Sequence, residues 1–137
     1  MDKRLFYLFG QAHRKLFRFI DKECEQRLGA SNVQVAALMF IAKHPGCQQK
    51  ELAAELDLNK SAITGLIALM EKNGLVTREG DDADARAVKL FATAEGLTKS
   101  RGLMPLINEL NAFYTSEFNA EEMDVIYRFL HTTIKKF

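Results

Sequence analysis

Six residues on one stretch have the types and spacing to do chemistry together: Lys60, Ser61, Thr64, Gly65, Ala68 and Lys72. On a helix they share the face opposite Ile63, Leu66, Ile67 and Met70, which recur at i, i+3, i+4 and i+7 as an inward apolar stripe. The outer face offers two hydroxyls, a cation near each end and almost no bulk between them. That is the chemistry of recognition at close range rather than of bond making. A helix without bulky side chains can approach another surface closely, and a DNA major groove is wide enough to admit one. The competing reading is an ordinary solvated helix face.

No other set of residues competes for a chemical role. His13, His44 and His131 are scattered without ligand spacing. Cys24 and Cys47 are spaced like neither a zinc site nor a disulfide framework. Cys24 falls on an apolar helical stripe, where a small buried hydrophobe is the common explanation. Cys47 sits in a loop beside Gly46, placed to be the exposed thiol of the pair and the candidate for redox sensing. With no nucleophile–base pair, metal set or phosphate loop, the chain reads as a non-enzyme that needs no metal and no cofactor.

The elements that must position this face are legible on both sides of it. Asn59 caps the helix, Leu58 and Ile63 can staple its entry, and Asn73-Gly74 ends it. A shorter helix, Gln48 to Leu56, precedes it with Leu52, Ala53 and Leu56 inward, and Ala53 is small where two helices would cross. Strands are predicted over Leu75–Glu79 and Ala87–Ala92, with Gly80–Arg86 as the tip of a hairpin. Upstream, residues 3 to 28 read as one long helix and Asn32 to Lys43 as another, capped by Ser31 and stopped by His44-Pro45-Gly46. Downstream, a helix capped by Thr93 is predicted to run to about Ser116 with a kink at Pro105. A last helix starts at a capping box of Asn119 and Glu122.

Length and composition describe one soluble globular domain. The chain has 137 residues, 47% hydrophobic and 27% charged. No apolar run approaches the roughly 18 residues that a membrane span requires. The N-terminal segment carries charges inside its apolar portion and lacks a small-residue cleavage site, so the expected location is the cytoplasm. Charge gives a nucleic-acid reading little help. The whole chain carries +1, and residues 45–92 hold six basic and eight acidic residues, a balance of −2. A DNA reader normally shows a basic footprint.

Taken together, these stretches resemble the MarR family of bacterial transcriptional regulators. Gln49-Lys50-Glu51-Leu52-Ala53 is similar to the family's q-x-e-L-A helix, and Leu58-Asn59 through Ile63-Thr64 to its l-s-x-s-t-v-t entry. Met70-Glu71-Lys72-Asn73-Gly74-Leu75-Val76 resembles L-E-k-x-G-L-V. Asp84-Ala85-Arg86, with Ala92-Thr93-Ala94-Glu95-Gly96 following, resembles the wing signature D-x-R-x(5)-L-T-x-x-G. Each motif is weak alone; their order and spacing over nearly the whole chain make the resemblance specific.

The resemblance implies a mostly α fold with a small β wing: a winged helix-turn-helix over 31–93, and a helical dimerisation region over 1–30 and 94–137, within a single domain 1–137. It implies a homodimer that binds double-stranded, pseudo-palindromic DNA, acts as a repressor and is released by a small aromatic effector. The aromatic-rich ends point the same way, since a monomer of this size could not easily bury both beside the winged helix. Candidate dimer contacts are Leu5, Phe6 and Phe9 at one end and Phe113, Phe118, Ile126, Phe129 and Leu130 at the other. Arg86 is implied as a wing arginine reaching the minor groove with Asp84 bracing it, and Lys89 as a phosphate contact. Gln49 joins the groove-facing set, and His13, Arg14 and Tyr114 are candidates for an effector pocket.

The chain departs from the family pattern in two places. Gly65 and Leu69 stand where the family often carries recognition-helix arginines, and Ala85 where many relatives have a second wing arginine. Bidentate arginine-to-guanine readout from this helix is therefore absent. Specificity would come from Ser61, Thr64, Gln49, a thymine-methyl contact by Ala68, and DNA shape. These departures and the acidic balance support an alternative, a winged-helix protein-interaction module with weak or no sequence-specific DNA binding.

Overall fold

The computed structural model describes residues 1–81 and 84–137, and the side chains of 1–80 and 87–137. Seven helices and one hairpin follow in the order α1 (Leu5–Leu28), α2 (Asn32–Lys43), α3 (Gln49–Leu56), α4 (Lys60–Lys72), β1 (Val76–Asp81), β2 (Asp84–Ala92), α5 (Ala94–Gly102), α6 (Met104–Glu117) and α7 (Ala120–Lys136). The fold is mostly helical with a small two-stranded wing. It divides into two compact units, Met1–Leu103 and Met104–Phe137.

Within the first unit, local chemistry sets the helix boundaries. Ser31 Oγ accepts from the Gln34 N–H at 3.3 Å, and Asn59 Oδ1 accepts from the Ala62 N–H at 2.8 Å. Each satisfies a donor that the first helical turn leaves without an internal partner. Gln48 is itself a cap: its N–H donates to Glu51 Oε1 at 3.2 Å, half of a capping box around the start of α3. Between α3 and α4 the chain turns at Asp57, whose φ of 53° is left-handed. Aspartate is among the few non-glycine residues that visit this region readily. The two helices are thus joined by only Asp57-Leu58-Asn59.

One apolar cluster holds this arrangement together. Leu38 and Ile41 from α2, Leu52 from α3, Ile63, Ile67 and Met70 from α4, and Leu75, Val76 and Leu90 around the hairpin all belong to it. Six of these are 0% exposed and none exceeds 2%. Removing a buried Leu, Ile or Met to alanine in such a setting costs about 2–5 kcal/mol.

β1 and β2 are antiparallel, with Val76 opposite Ala92 and Gly80 opposite Val88, and the register shifts between Gly80 and Asp81. The ladder runs further than the sequence predicts. It takes in Gly80 and Asp81 on one side and Asp84–Arg86 on the other, because cross-strand pairing carries residues whose own propensity favours a turn. A short extra pairing ties the α2–α3 loop to the hairpin. Gly46 N–H donates to Leu90 O, and Leu90 N–H donates to Cys47 O, both at 2.8 Å.

The hairpin is fastened to the helices at Thr93. Its hydroxyl donates to Gly74 O at 2.7 Å and accepts from the Gly96 N–H at 3.1 Å, while its own N–H donates to Leu75 O at 3.0 Å. This joint brings the start of α5 against the end of α4 so closely that a Cβ on Gly96 would lie 2.2 Å from Leu75 O.

The predicted kinked helix from Thr93 is instead two helices. α5 stops at Gly102 and α6 starts at Met104, with Leu103 between them. Pro105 therefore stands in the first turn of α6, where its missing N–H costs nothing, rather than inside a helix. In the second unit, Asn119 and Glu122 close the predicted capping box: Glu122 N–H donates to Asn119 Oδ1 at 2.9 Å and Asn119 N–H to Glu122 Oε1 at 3.1 Å. No helix among the described residues is long and apolar enough to cross a membrane.

Because the atom facing Gly96 is backbone, it cannot swing aside. Gly96→Ala is expected to destabilise the fold by about 3 kcal/mol in denaturant unfolding, near the upper end for overpacking. A loss under 1 kcal/mol would show that the Thr93 joint is not the rigid connection described.

Candidate nucleic-acid interface

α4 presents the face that its sequence implies. Ile63, Ile67 and Met70 are buried at 2%, 0% and 0% exposure. Lys60, Ser61, Thr64, Gly65, Ala68 and Lys72 are all exposed. Among the described residues nothing beyond the helix's own backbone lies within 4 Å of where a Cβ on Gly65 would stand, so the middle of this face is open.

Gln49 joins the set through a direct contact. Its Nε2 lies 3.5 Å from Thr64 Oγ1, a long hydrogen bond that places the first turn of α3 beside the first turns of α4. The Thr64 hydroxyl donates to Lys60 O at 2.8 Å, so its proton is used within the helix. Toward an incoming group Thr64 offers lone pairs, whereas Ser61 and the Gln49 amide can still donate.

Charge on this surface is sparse and partly cancelled. Arg78, on β1, is locked to Glu71 of α4 by two bonds, Nη2 to Oε1 at 3.0 Å and Nε to Oε2 at 3.3 Å. The pair is about 40% exposed on each side, which makes its stabilising worth small. Its geometric effect is larger, because it braces the end of α4 against the hairpin and withdraws an arginine from other partners. Lys89 is half-buried on β2 and stands opposite Glu79 in the ladder. The Asp84 and Arg86 side chains, the predicted wing brace and wing arginine, lie outside the described side chains.

The other predicted sites lie on α1 and in the second unit. Leu5, Phe6 and Phe9 on α1 are 63%, 95% and 41% exposed, and Phe113, Phe118, Phe129 and Leu130 in the second unit are 57%, 38%, 38% and 40%. Ile126 is half-buried. His13 stacks on Phe17 with ring centroids 4.5 Å apart, and Arg14 is exposed on the same helix. Tyr114 packs edge-on against Phe113 at 5.2 Å in the second unit.

Cys47 corrects an expectation. It is only 5% exposed, because the Cys47–Leu90 pairing draws its loop onto the core. Burial pushes the Cys47 thiol up, and the nearby Glu51 carboxylate adds to this. Burial likewise raises Cys24, with Asp21 and Glu25 next in effect. Both thiols are free, and their surroundings disfavour the reactive thiolate. Among the described residues no group of three or more His, Cys, Asp or Glu could hold a metal ion.

One feature of the candidate interface is not visible in the sequence. The Glu71–Arg78 brace joins a helix to a strand, a spacing that no helical or strand period reveals. Leu69, which stands at one of the positions where the family often carries an arginine, is 45% exposed beside Ala68.

Comparison with known proteins places this geometry. A family model described as "MarR family" matches residues 28–87. The chain is 32% identical over 92 residues to the transcriptional regulator HosA of Escherichia coli O127:H6 (strain E2348/69 / EPEC), spanning 67% of this chain and 68% of that protein. It is 27% identical over 101 residues to the HTH-type transcriptional repressor MdtR of Bacillus subtilis (strain 168), spanning 74% and 65%. Among solved structures, that of the S. aureus MepR–DNA complex superposes with a TM-score of 0.88 at 20% identity, over 98% of this chain and 99% of that one. At that identity the likeness shows the fold.

The open middle of α4 generates a two-part expectation. Gly65→Ala should raise stability by roughly 0.5–1 kcal/mol in thermal or denaturant unfolding, since a helix-interior glycine gains by the change and no atom opposes it. If the face docks at close range, the same variant should bind its target more weakly. A variant that is more stable and binds equally well would mean that close approach at Gly65 is not used.

Proposed function

Because the chain belongs to the MarR family of transcriptional regulators, we propose that it is a homodimeric repressor that reads a pseudo-palindromic operator with α4 in the major groove. The family's members named above are regulators rather than enzymes. One observation carries the reading: α4 is anchored by three buried residues, while its opposite face is exposed, small and clear of neighbours. That face suits a groove, and the likeness in fold to a MepR–DNA complex supports the same use of it. In this reading Ser61, Thr64, Gly65, Ala68 and Gln49 face base edges, while Lys60, Lys72 and Lys89 contact phosphates. Arg86, braced by Asp84, enters the minor groove from the wing.

The dimer is read from unburied surface. Phe6 at 95% exposure, Phe113 at 57% and Ile134 at 74% leave large apolar area in water on both terminal regions. Residues 1–30 and 94–137 would bury it against a second copy about a two-fold axis. Two α4 helices would then enter successive major grooves about one helical turn apart, and the operator would repeat the protein's symmetry. Repression follows from occupying a promoter, as the repressor name of MdtR suggests. Release by a small aromatic effector, with His13, Arg14 and Tyr114 as polar contacts, requires that the effector bind better to a spacing of the two heads that does not fit DNA. The whole cycle belongs in the cytoplasm, where the operator is.

The test is selection of bound duplexes from a random DNA pool, at low and at near-physiological salt, with sedimentation to fix the bound species. The expected result is an inverted repeat with half-sites about ten base pairs apart, bound by two chains per duplex. Affinity should fall with salt, since each phosphate contact releases counterions. No enrichment at either salt would overturn the DNA reading and leave the face of α4 as a protein-docking surface, the alternative that the −2 balance of residues 45–92 favours.

A further inference from the structure

We infer that the α4 face recognises thymine by its methyl group, with Leu69 and Ala68 as the specificity-determining residues and without reading guanine. This rests on the reading of α4 as the major-groove helix and states which base class that helix selects. In the major groove guanine is marked by the N7 and O6 acceptors, which an arginine or lysine grips with two bonds, and thymine by its C5-methyl. The sequence of α4, KSAITGLIALMEK, contains no arginine. Arg78, which packs against the end of this helix, has its guanidinium held by both Glu71 oxygens. The Thr64 hydroxyl donates its one hydrogen bond to Lys60 O. The donors that remain, Ser61 and Gln49, suit single hydrogen bonds, and Lys60 and Lys72 stand at the two ends of the helix rather than over its middle.

What the middle of the face does present is apolar. Leu69 lies four residues after Gly65 and three before Lys72, so these are its neighbours on the helix surface. Gly65 has no side chain to cover it, and among the described residues no atom beyond the helix's own backbone comes within 4 Å of the Gly65 Cβ position. Leu69 is left 45% exposed next to the exposed Ala68, while Ile63, Ile67 and Met70 of the same helix are fully or almost fully buried. A single exposed leucine needs no explanation by itself. On a helix face that approaches base edges, it supplies the apolar contact that a thymine methyl accepts. The operator half-sites should accordingly be rich in thymine where α4 crosses them.

The test uses the full-length protein and the duplex selected from the random pool. Each half-site thymine is replaced singly by deoxyuridine, which removes only the methyl. In parallel each guanine is replaced by 7-deazaguanine, which removes the N7 acceptor. At least one thymine per half-site should lose affinity about fourfold on losing its methyl, the worth of one buried methyl-sized group. That loss should largely disappear in Leu69→Ala, an exposed change that leaves the fold intact by thermal unfolding. The 7-deazaguanine duplexes should bind as well as the parent.

Specific binding that is indifferent to every methyl, or that falls chiefly on loss of guanine N7, would overturn the inference and leave operator binding standing. A methyl effect unchanged in Leu69→Ala would overturn the assignment to this face. Failure to select any duplex would instead remove the operator reading, and this inference with it.

Discussion

The burial of Ile63, Ile67 and Met70 against Leu38, Ile41, Leu52 and Leu90 is the constraint from which the rest of the N-terminal unit follows. A 13-residue helix has little stability alone, and most of its order must come from the apolar face it buries. With that face fixed inward, the rotation of α4 about its axis is fixed too. Ser61, Gly65, Ala68 and Lys72 must then point outward. Close packing makes this an orientation rather than a preference, because a well-filled core resists even methylene-sized changes. The exposed face of α4 is thus a by-product of core packing.

The connections around α4 remove its remaining freedom. The tight Asp57 turn and the Asn59 cap fix where the helix begins. The Glu71–Arg78 pair and the Thr93 joint fix where it ends relative to the hairpin and α5. The joint also explains part of the wing signature in physical terms. The threonine caps α5 and grips Gly74, and the glycine three residues later is required because Leu75 O occupies the space a side chain would need. Such rigidity suits a reader of base edges, for which a misplaced helix forfeits hydrogen bonds that cannot be remade elsewhere.

Much of this was legible from residues alone, and the parts that were not share a cause. The caps at Ser31, Asn59, Thr93 and Asn119 and the inward stripe of α4 are short-range signals, and all four caps hold as read. The α5–α6 break is not separable from a kink by residues alone, because a proline in a helical pattern fits either an interior bend or a first turn. The strands overran their predicted ends because pairing, not propensity, set their length. Cys47 was expected at the surface because its partner, Leu90, is distant in sequence. For the candidate interface the sequence indicated the outer face of α4, while the engagement of Arg78 by Glu71 depends on a contact across elements.

In the proposed mode of binding the outer face of α4, and not another surface of the winged helix, meets the duplex. Amide chemical-shift mapping during titration with the selected duplex tests it most directly. The largest perturbations are expected at Ser61, Thr64, Gly65, Ala68 and Leu69, with Gln49 alongside, and little change at α2. Perturbations centred on α2 and the end of α3, with α4 silent, would contradict it.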